Sequence, residues 1–513
     1  MKKLFLISSI VVLPLALQAQ SAYDALRYSQ IFYTGTARSA AMGNAMTALG
    51  GDFGSLTINP AGSALYPYAE FTFTPLITNT VTKSDYLSLQ SDQNRAAFKI
   101  ANMGYVVPFS SSNSSIGMSF GVGYNALNDF TDRSSASGKT DQSSWLAALA
   151  YNTSGMVYAQ DMDDTQNPFQ NLSPRWWRSV LAWNTSLLDT IPHTDGMFYT
   201  GATEAYGKTI DIPGALQQDF FRESKGYLGE YVINFGLNFS HQLFLGANIG
   251  IQSLEYKYKQ KYSESVVNPN DFYQTEFSNF THTYDYNTSG IGLNLKFGII
   301  WVPVQNLRFG ATISTPTWMS LTDEWEETIT ANFQDGYHQR LSSPVGEYSY
   351  QISTPFRWGL GMAYTFGSAG AFSIDYEQAA YNKIYMSAES GSRYSNPFSE
   401  ENDYIKKEFQ NTHNLRTGLE FNLNEEFSLR GGYAFFGAPE KSNPYQTHIA
   451  SLGIGLHSGS FFADITFMQR LAQQEYYTLY DDVYDSGSIW YRAPEVKQTT
   501  SNWKLLITLG VRF

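Results

Sequence analysis

The chain contains no cysteine, few charges and no second long apolar run, and each absence removes a class of protein. Without cysteine there is no thiol chemistry, no disulfide framework and no lipid-anchoring Cys, so stability must come from backbone pairing and packing. The formal net charge is −13, and losing the two positive charges of Lys2 and Lys3 with a leader makes it −15, which argues against phosphate-backbone binding and leaves no nucleic-acid partner. Beyond the first residues nothing approaches the roughly 20 apolar residues of a spanning helix. The seven histidines, at 193, 241, 282, 338, 413, 448 and 457, have no metal-ligand spacing. Asp161, Asp163, Asp164, Asp481 and Asp482 lack the glycine-centred spacing of a calcium loop, so neither metal nor other cofactor is expected.

The first nineteen residues read as a leader. Met1-Lys2-Lys3 is a positive n-region, Leu4 to Leu17 is apolar, and Gln18-Ala19 suits cleavage after Ala19. The whole chain is rich in aromatics and glycine, with Tyr 36, Phe 35 and Gly 41, and only 15% of its residues are charged. Their placement is periodic. Trp503, Leu505, Ile507, Leu509, Val511 and Phe513 alternate with Lys504, Leu506, Thr508, Gly510 and Arg512. Leu415, Thr417, Leu419, Phe421 and Leu423 alternate with Arg416, Gly418, Glu420 and Asn422. Similar segments run from Tyr231 to Phe239, Leu243 to Ile251, Ile291 to Trp301, Leu307 to Ile313, Phe356 to Phe366, Phe427 to Phe435 and Ala450 to Leu456. One face suits lipid and the other a polar lumen, as in a transmembrane barrel.

Connection lengths alternate too. Tight links lie near Pro108 to Ser114, Ser240 to Gln242, Pro303 to Asn306, Gly367 to Gly370, Leu423 to Glu425 and Ser458 to Ser460. Long ones lie near residues 80 to 93, 126 to 229, 262 to 281, 326 to 346, 379 to 410, 437 to 446 and 475 to 497. Strands around these links number about fourteen, with both termini periplasmic and the long loops outside the cell. The expected fold is therefore all-β: a transmembrane antiparallel barrel over 68–513 with helical loop insertions, the largest at about 126–229. Residues 20–67 do not alternate; Thr36 to Leu49 has small residues at helical spacing and Thr57 to Gly62 is turn-rich, so this segment is expected to plug the lumen.

Within the long insertion, Pro174 can open a helix that sets Trp176, Val180, Trp183 and Leu187 near one face, with Trp177 beside them. That face is either a docking surface for an apolar ligand or packing against neighbouring loops. Gly117, Gly121 and Gly123 point inward from one strand, where they leave room for the plug. Gly117-Met118-Ser119-Phe120-Gly121 fits a hydrolase pattern, but a nucleophile elbow needs a strand-to-helix turn and the residues sit inside an alternating strand, so no enzyme is expected. The inward-facing Lys296, Arg308, Arg357, Arg416 and Arg430 either meet a ligand's carboxylate headgroup, for which Arg416 and Arg430 are the candidates, or pair with Glu420 or carboxylates of the plug.

The stretch Gly35 to Asp52 (GTARSAAMGNAMTALGGD) followed by Asn59-Pro60-Ala61-Gly62 resembles the N-terminal hatch of the FadL/TodX family of outer-membrane transporters for hydrophobic compounds. Asn306 to Pro316, Leu415 to Glu420 and Phe427 to Tyr433 are similar to its strands. The resemblance implies a fourteen-stranded Gram-negative outer-membrane barrel that takes up long-chain fatty acids or other hydrophobic compounds passively. It implies capture at outer loops, gating by Asn59, Pro60 and Ala61, and lateral release into the membrane beside a kinked strand, for which the strand carrying Gly117, Gly121 and Gly123 is the match. Asn59, Pro60 and Ala61 equally suit a buried turn that only fixes the plug. Implied partners are outer-membrane lipid and lipopolysaccharide and a hydrophobic small-molecule ligand. A second implication is a FadL-like barrel serving type IX secretion or surface assembly, with partner proteins bound at the surface. The loop at 126–229 departs from the family pattern.

Overall fold

In the computed structural model, residues 21–110, 116–389, 396–485 and 488–513 are described. The leader, with its cleavage position, and part of the tight link near Pro108 to Ser114 lie outside them. No helix among the described residues is long and apolar enough to cross a membrane.

Fourteen strands close into one antiparallel barrel. They are β1 (Glu70–Tyr86), β2 (Leu89–Ser110), β3 (Ile116–Asp129), β4 (Leu216–Phe239), β5 (Leu243–Val266), β6 (Phe277–Val304), β7 (Leu307–Ser314), β8 (Arg357–Thr365), β9 (Gly370–Ala380), β10 (Asn411–Asn422), β11 (Phe427–Phe436), β12 (Thr447–Ser458), β13 (Phe461–Thr478) and β14 (Glu495–Arg512). Each pairs with its neighbours in chain order, and β14 returns to β1, where Arg512 lies opposite Glu70. Closure removes the unpaired edges that lipid could not satisfy. After short breaks, Asp132–Thr140 extends β3 and Trp318–Phe333 extends β7, while Gly346–Ser353 precedes β8.

The outward apolar face is continuous around the wall: Phe98, Met118, Phe235, Ile249, Phe297, Phe309, Leu360, Leu419, Leu452, Ile465 and Leu509 are all exposed. Burying that band in hydrocarbon replaces the core a soluble sandwich would need. The strands run well past it. β6 has 28 residues; at about 3.4 Å per residue and a tilt near 40° it rises roughly 70 Å, against an apolar band about 25 Å tall.

Above the band the pattern inverts. On β5, Lys257, Lys259 and Lys261 face out while Tyr256 and Tyr262 are buried inside. This inversion corrects the expected loop boundaries. The link placed at 80–93 is a hairpin turning on Leu87 and Ser88, both at positive φ, and the insertion placed at 126–229 spans 141–215. The polar outward positions belong to strands standing in water rather than to loops.

Candidate functional site: a lumenal chamber beside a split in the wall

The segment before β1 threads the lumen lengthwise. Helix α1 (Ala22–Ser29) is closed by a capping box between Ser21 and Asp24, and it packs against a helix of the long-loop end (Ser399–Glu408) through a 2.7 Å bond between the Tyr23 and Tyr404 hydroxyls. Helix α2 (Ala37–Ala41) and two 3₁₀ turns, Phe53–Thr57 and Pro60–Leu65, lead down to the short-turn end. Asn59 caps the second turn: its Oδ1 accepts from Ala61 N at 3.0 Å, while Nδ2 donates to Thr47 O at 2.6 Å and to the wall at Ile299 O at 3.1 Å. Pro60 takes the first position, where its missing N–H costs nothing.

Wall glycines are sockets for this segment. A Cβ at Gly298 would come within 1.8 Å of Asn59 Oδ1, and one at Gly246 within 2.2 Å of the Pro60 carbonyl carbon. Gly104 and Gly123, paired across β2 and β3, leave the hole that the Phe53 ring fills. Gly121 faces Leu56 and Gly117 faces Asn238, and all three of the glycines singled out on β3 lie in fully paired strand. Ser119 lies there too, its hydroxyl bonded to Ser63 at 2.9 Å with no elbow nearby.

The inward cations named from sequence are occupied by protein groups. Arg416 pairs with Glu377 at 3.4 Å and Asp375 at 3.8 Å, and Arg430 pairs with Glu420 at 2.6 Å and with Asp464. Glu420 also holds Arg38 of the lumenal segment at 2.8 Å. Lys296 pairs with Glu230 at 2.6 Å, Arg357 with Glu377 at 3.1 Å, and Arg308 donates to Leu49 O at 2.8 Å. Apart from Arg308, which reaches only that carbonyl, their buried charges are thus compensated by wall carboxylates.

The tryptophan helix caps the long-loop end. Helix α3 (Trp145–Thr153) and helix α4 (Trp177–Asn184) bury Trp145, Trp177 and Val180 in an apolar core over the mouth. Trp183 meets Tyr199 edge-on at 6.0 Å, and Trp176 is partly exposed beneath Arg175. Arg178 reaches down to Glu327 at 2.9 Å, which also holds His282 at 2.6 Å. Further out, Glu204 is fully buried; its carboxylate accepts from Gly201 N at 2.5 Å and from Ile210 N, and burial pushes its carboxyl up to about 7.

Below this cap lies a chamber of about 450 Å³ between the lumenal segment and the wall. Aromatics and cations share its lining: Arg27 stacks 4.8 Å over Tyr256, and Arg222 lies 4.3 Å over Tyr477 while paired with Glu475 at 3.0 Å.

Beside the chamber the wall splits. The ladder between β2 and β3 ends at Asn102 opposite Asn125, and β3 shifts register against β4 between Ala126 and Asn128. Beyond that point the upper half of β2 pairs with β1, the extension of β3 pairs with β4, and no backbone ladder joins the two edges among the described residues. Instead they overlap. Thr80 Oγ1 on the inner face of β1 donates to Thr131 O at 2.7 Å, so the extension of β3 lies on the lumenal side. Side chains close the seam: Lys99 pairs with Asp129 and donates to Gly226 O at 2.6 Å, Arg95 pairs with Glu223 at 2.8 Å, and Gln93 donates to Ser135 at 3.0 Å.

At the lower end of this seam a cavity of about 540 Å³ runs through the wall, lined outside by Ile100, Met103 and Tyr231 and inside by Thr34, Leu76 and Lys504. It shares Asn128, Asp129, Thr131 and Lys504 with the chamber. The lumenal segment covers its inner side, with Phe32 N donating to Leu127 O at 2.8 Å and Asn128 Nδ2 to Gln30 O at 3.1 Å. None of these seam residues stood out in the sequence, where the polar run from Thr131 to Thr140 reads as loop.

No protein-family model matches the chain, and no curated protein matches it. Among solved structures it is similar to the crystal structure of the P. putida toluene transporter TodX, at 12% identity, covering 94% of this chain and 99% of that one with a TM-score of 0.50. It is also similar to a Pseudomonas aeruginosa FadL homologue, at 12% identity, covering 94% and 100% with a TM-score of 0.53. At that identity the likeness speaks for architecture alone, and the architecture of this chain is the fourteen-stranded FadL/TodX barrel.

Proposed function

We propose that this barrel conducts hydrophobic or amphipathic compounds passively across the outer membrane, from the lumenal chamber sideways through the seam between β2 and β3 into the lipid. The observation that carries the reading is a wall opening with lumenal groups on one side and lipid-facing residues on the other, held shut by side chains instead of a ladder. A solute leaving there enters hydrocarbon directly. Side-chain ion pairs part at far lower cost than a run of backbone bonds in a medium that offers no replacement.

The long-loop end faces outward from the cell, so the cap and the helix at Ser399–Glu408 guard entry. Two features support a gating role for the lumenal segment: residues 30–34 cover the inner side of the seam, and Asn59-Pro60-Ala61 anchors the same segment to β5 and β6. With Trp177 and Val180 buried, capture at α4 and the turn before it falls to Trp183 and Trp176. The long-chain fatty acids suggested by the sequence resemblance are the first substrates to try.

The test is uptake of a fluorescent long-chain fatty acid by cells whose own outer-membrane channel for it has been deleted, with and without this protein. Saturable uptake, competed by unlabelled fatty acid or by an aromatic hydrocarbon, is expected. A correctly folded barrel that adds no uptake of either class overturns the reading and favours a role as partner in secretion or surface assembly.

A further inference from the structure

At the short-turn end of the lumen, apart from the chamber, one inward cation stands without a carboxylate. Arg308 on β7 donates from Nη1 to Leu49 O of the lumenal segment at 2.8 Å; its Nε is buried with no hydrogen-bond partner, and its Nη2 has none among the described residues. Nε and Nη2 together form the side of a guanidinium that grips a carboxylate or phosphate through two parallel bonds. Leaving a buried donor of a charged group unpaired is costly, so this edge calls for an acceptor.

Arg308 lines a cavity of about 260 Å³ between the lumenal segment and the turn ends of β8, β9 and β10. Arg38 of the lumenal segment lines it too, gripping Glu420 through Nε at 2.8 Å and Nη2 at 3.0 Å and donating to Gly51 O at 3.3 Å. Glu420 is the one carboxylate of that lining among the described residues, and Arg430 shares it. Two arginines against one carboxylate leave the lining with a net positive charge. Asp52 does not redress it: its carboxylate accepts from the Thr36 hydroxyl at 2.7 Å and from Gly54 N at 2.8 Å, and it makes no ion pair among the described residues. A Cβ at Gly51 or at Gly367, both at positive φ, would meet nothing within 4 Å, so neither segment nor wall fills the space there.

We propose that Arg308 and Arg38 bind a small oxyanion, the carboxylate or phosphate group of a periplasmic solute, and that the bound anion fastens the lumenal segment to the wall. Arg308 belongs to the wall and Arg38 to the segment, so an oxyanion gripped side-on by the first and facing the second ties the two together. The site itself is independent of the transport reading; only its placement on the periplasmic side rests on the long loops facing outward. Where the transport reading holds, seating of the segment, and with it the cover that residues 30–34 lay over the seam, answers to the anion on the far side of the membrane.

The experiment is limited proteolysis within residues 21–67 of the purified, folded barrel, in inorganic phosphate, acetate or chloride at pH 7.5 and one ionic strength. Both oxyanions are expected to slow cleavage saturably, about tenfold at saturation as charge-assisted bonds warrant, and chloride to leave it unchanged. The oxyanion that acts at the lower concentration identifies the group the site takes. Arg308→Met should remove the anion dependence. Thr365 lines the same cavity two residues beyond the position opposite Arg308, so Thr365→Glu supplies a carboxylate from the wall; it should slow cleavage in chloride and cancel the effect of the oxyanions. Equal cleavage in all three salts, or an oxyanion effect that persists in Arg308→Met, overturns the site. If Arg308→Met fails to fold, Thr365→Glu decides, and an undiminished oxyanion effect in it overturns the site. None of these outcomes depends on uptake, so the transport reading stands or falls separately.

Discussion

Replacing Asp129 with asparagine removes one partner of the lowest cross-seam ion pair and leaves every wall ladder in place. Side-chain exposures are 20% for Lys99 and 9% for Asp129, so the pair is neither surface nor core. Exposed pairs contribute about 0–1 kcal/mol and loss of one partner of a buried pair costs about 3–5 kcal/mol, which puts this pair near 2 kcal/mol. That shifts the ratio of open to closed seam roughly thirtyfold. The protein has no cysteine, so a single Leu76→Cys, at a buried inner position bordering the opening, reports on it cleanly. With opening fast and rare, labelling of that thiol by a membrane-dissolved maleimide should accelerate by about the same factor in the Asp129→Asn background. Lys99→Met combined with Asp129→Asn should be little worse than either alone, because the two share one interaction. An unchanged labelling rate would refute the claim that this pair holds the seam shut.

Further outcomes follow from the same geometry. Gly298→Ala drives a methyl into Asn59 Oδ1 and should cost about 1–3 kcal/mol in seating the lumenal segment, read as faster proteolysis within residues 21–67 while the wall keeps its heat-resistant mobility on gels. Arg416→Met strips Asp375 of its ion-pair partner and leaves Glu377 to Arg357, and should destabilise the whole barrel by about 3–5 kcal/mol, measured as a lower unfolding temperature. Glu204 sits above its unfolded value of 4.5, at about 7, so folding of the cap around it is favoured when it is protonated. That contribution, about 3 kcal/mol at most, is complete below pH 4.5 and is lost as pH rises through 7. Limited proteolysis of residues 141–215 should therefore quicken between pH 5 and pH 8, and Glu204→Gln should abolish the change.

The membrane wall was legible because lipid imposes one rule on every strand, apolar outward at every second residue, and the strand number follows from the tight turns that punctuate it. What escaped the eye lies where that rule stops. On β5 the outward residues change from Ile249 and Ile251 to Lys257, Lys259 and Lys261, so a strand in water looks like a loop although Tyr256 and Tyr262 keep its inner face packed. The seam is a matter of partner choice: Asp132–Thr140 has the same local sequence whether it pairs with β2 or lies inside it against β4. Arg430 and Lys504 are both inward cations on alternating strands. Only the fold reveals that Glu420 and Asp464 meet the first and that, among the described residues, no carboxylate forms an ion pair with the second. The sockets that the segment before β1 occupies explain why so many inward positions of the wall are glycine.

The most direct test of lateral passage is to staple the seam. Gln93→Cys with Ser135→Cys, whose parent side chains touch at 3.0 Å across the overlap, would be joined by a short bifunctional thiol reagent with a reducible link in an otherwise cysteine-free protein. Uptake of the fluorescent fatty acid should fall to the level of cells without the protein and recover when the link is reduced; undiminished uptake through a fully stapled barrel would contradict the account.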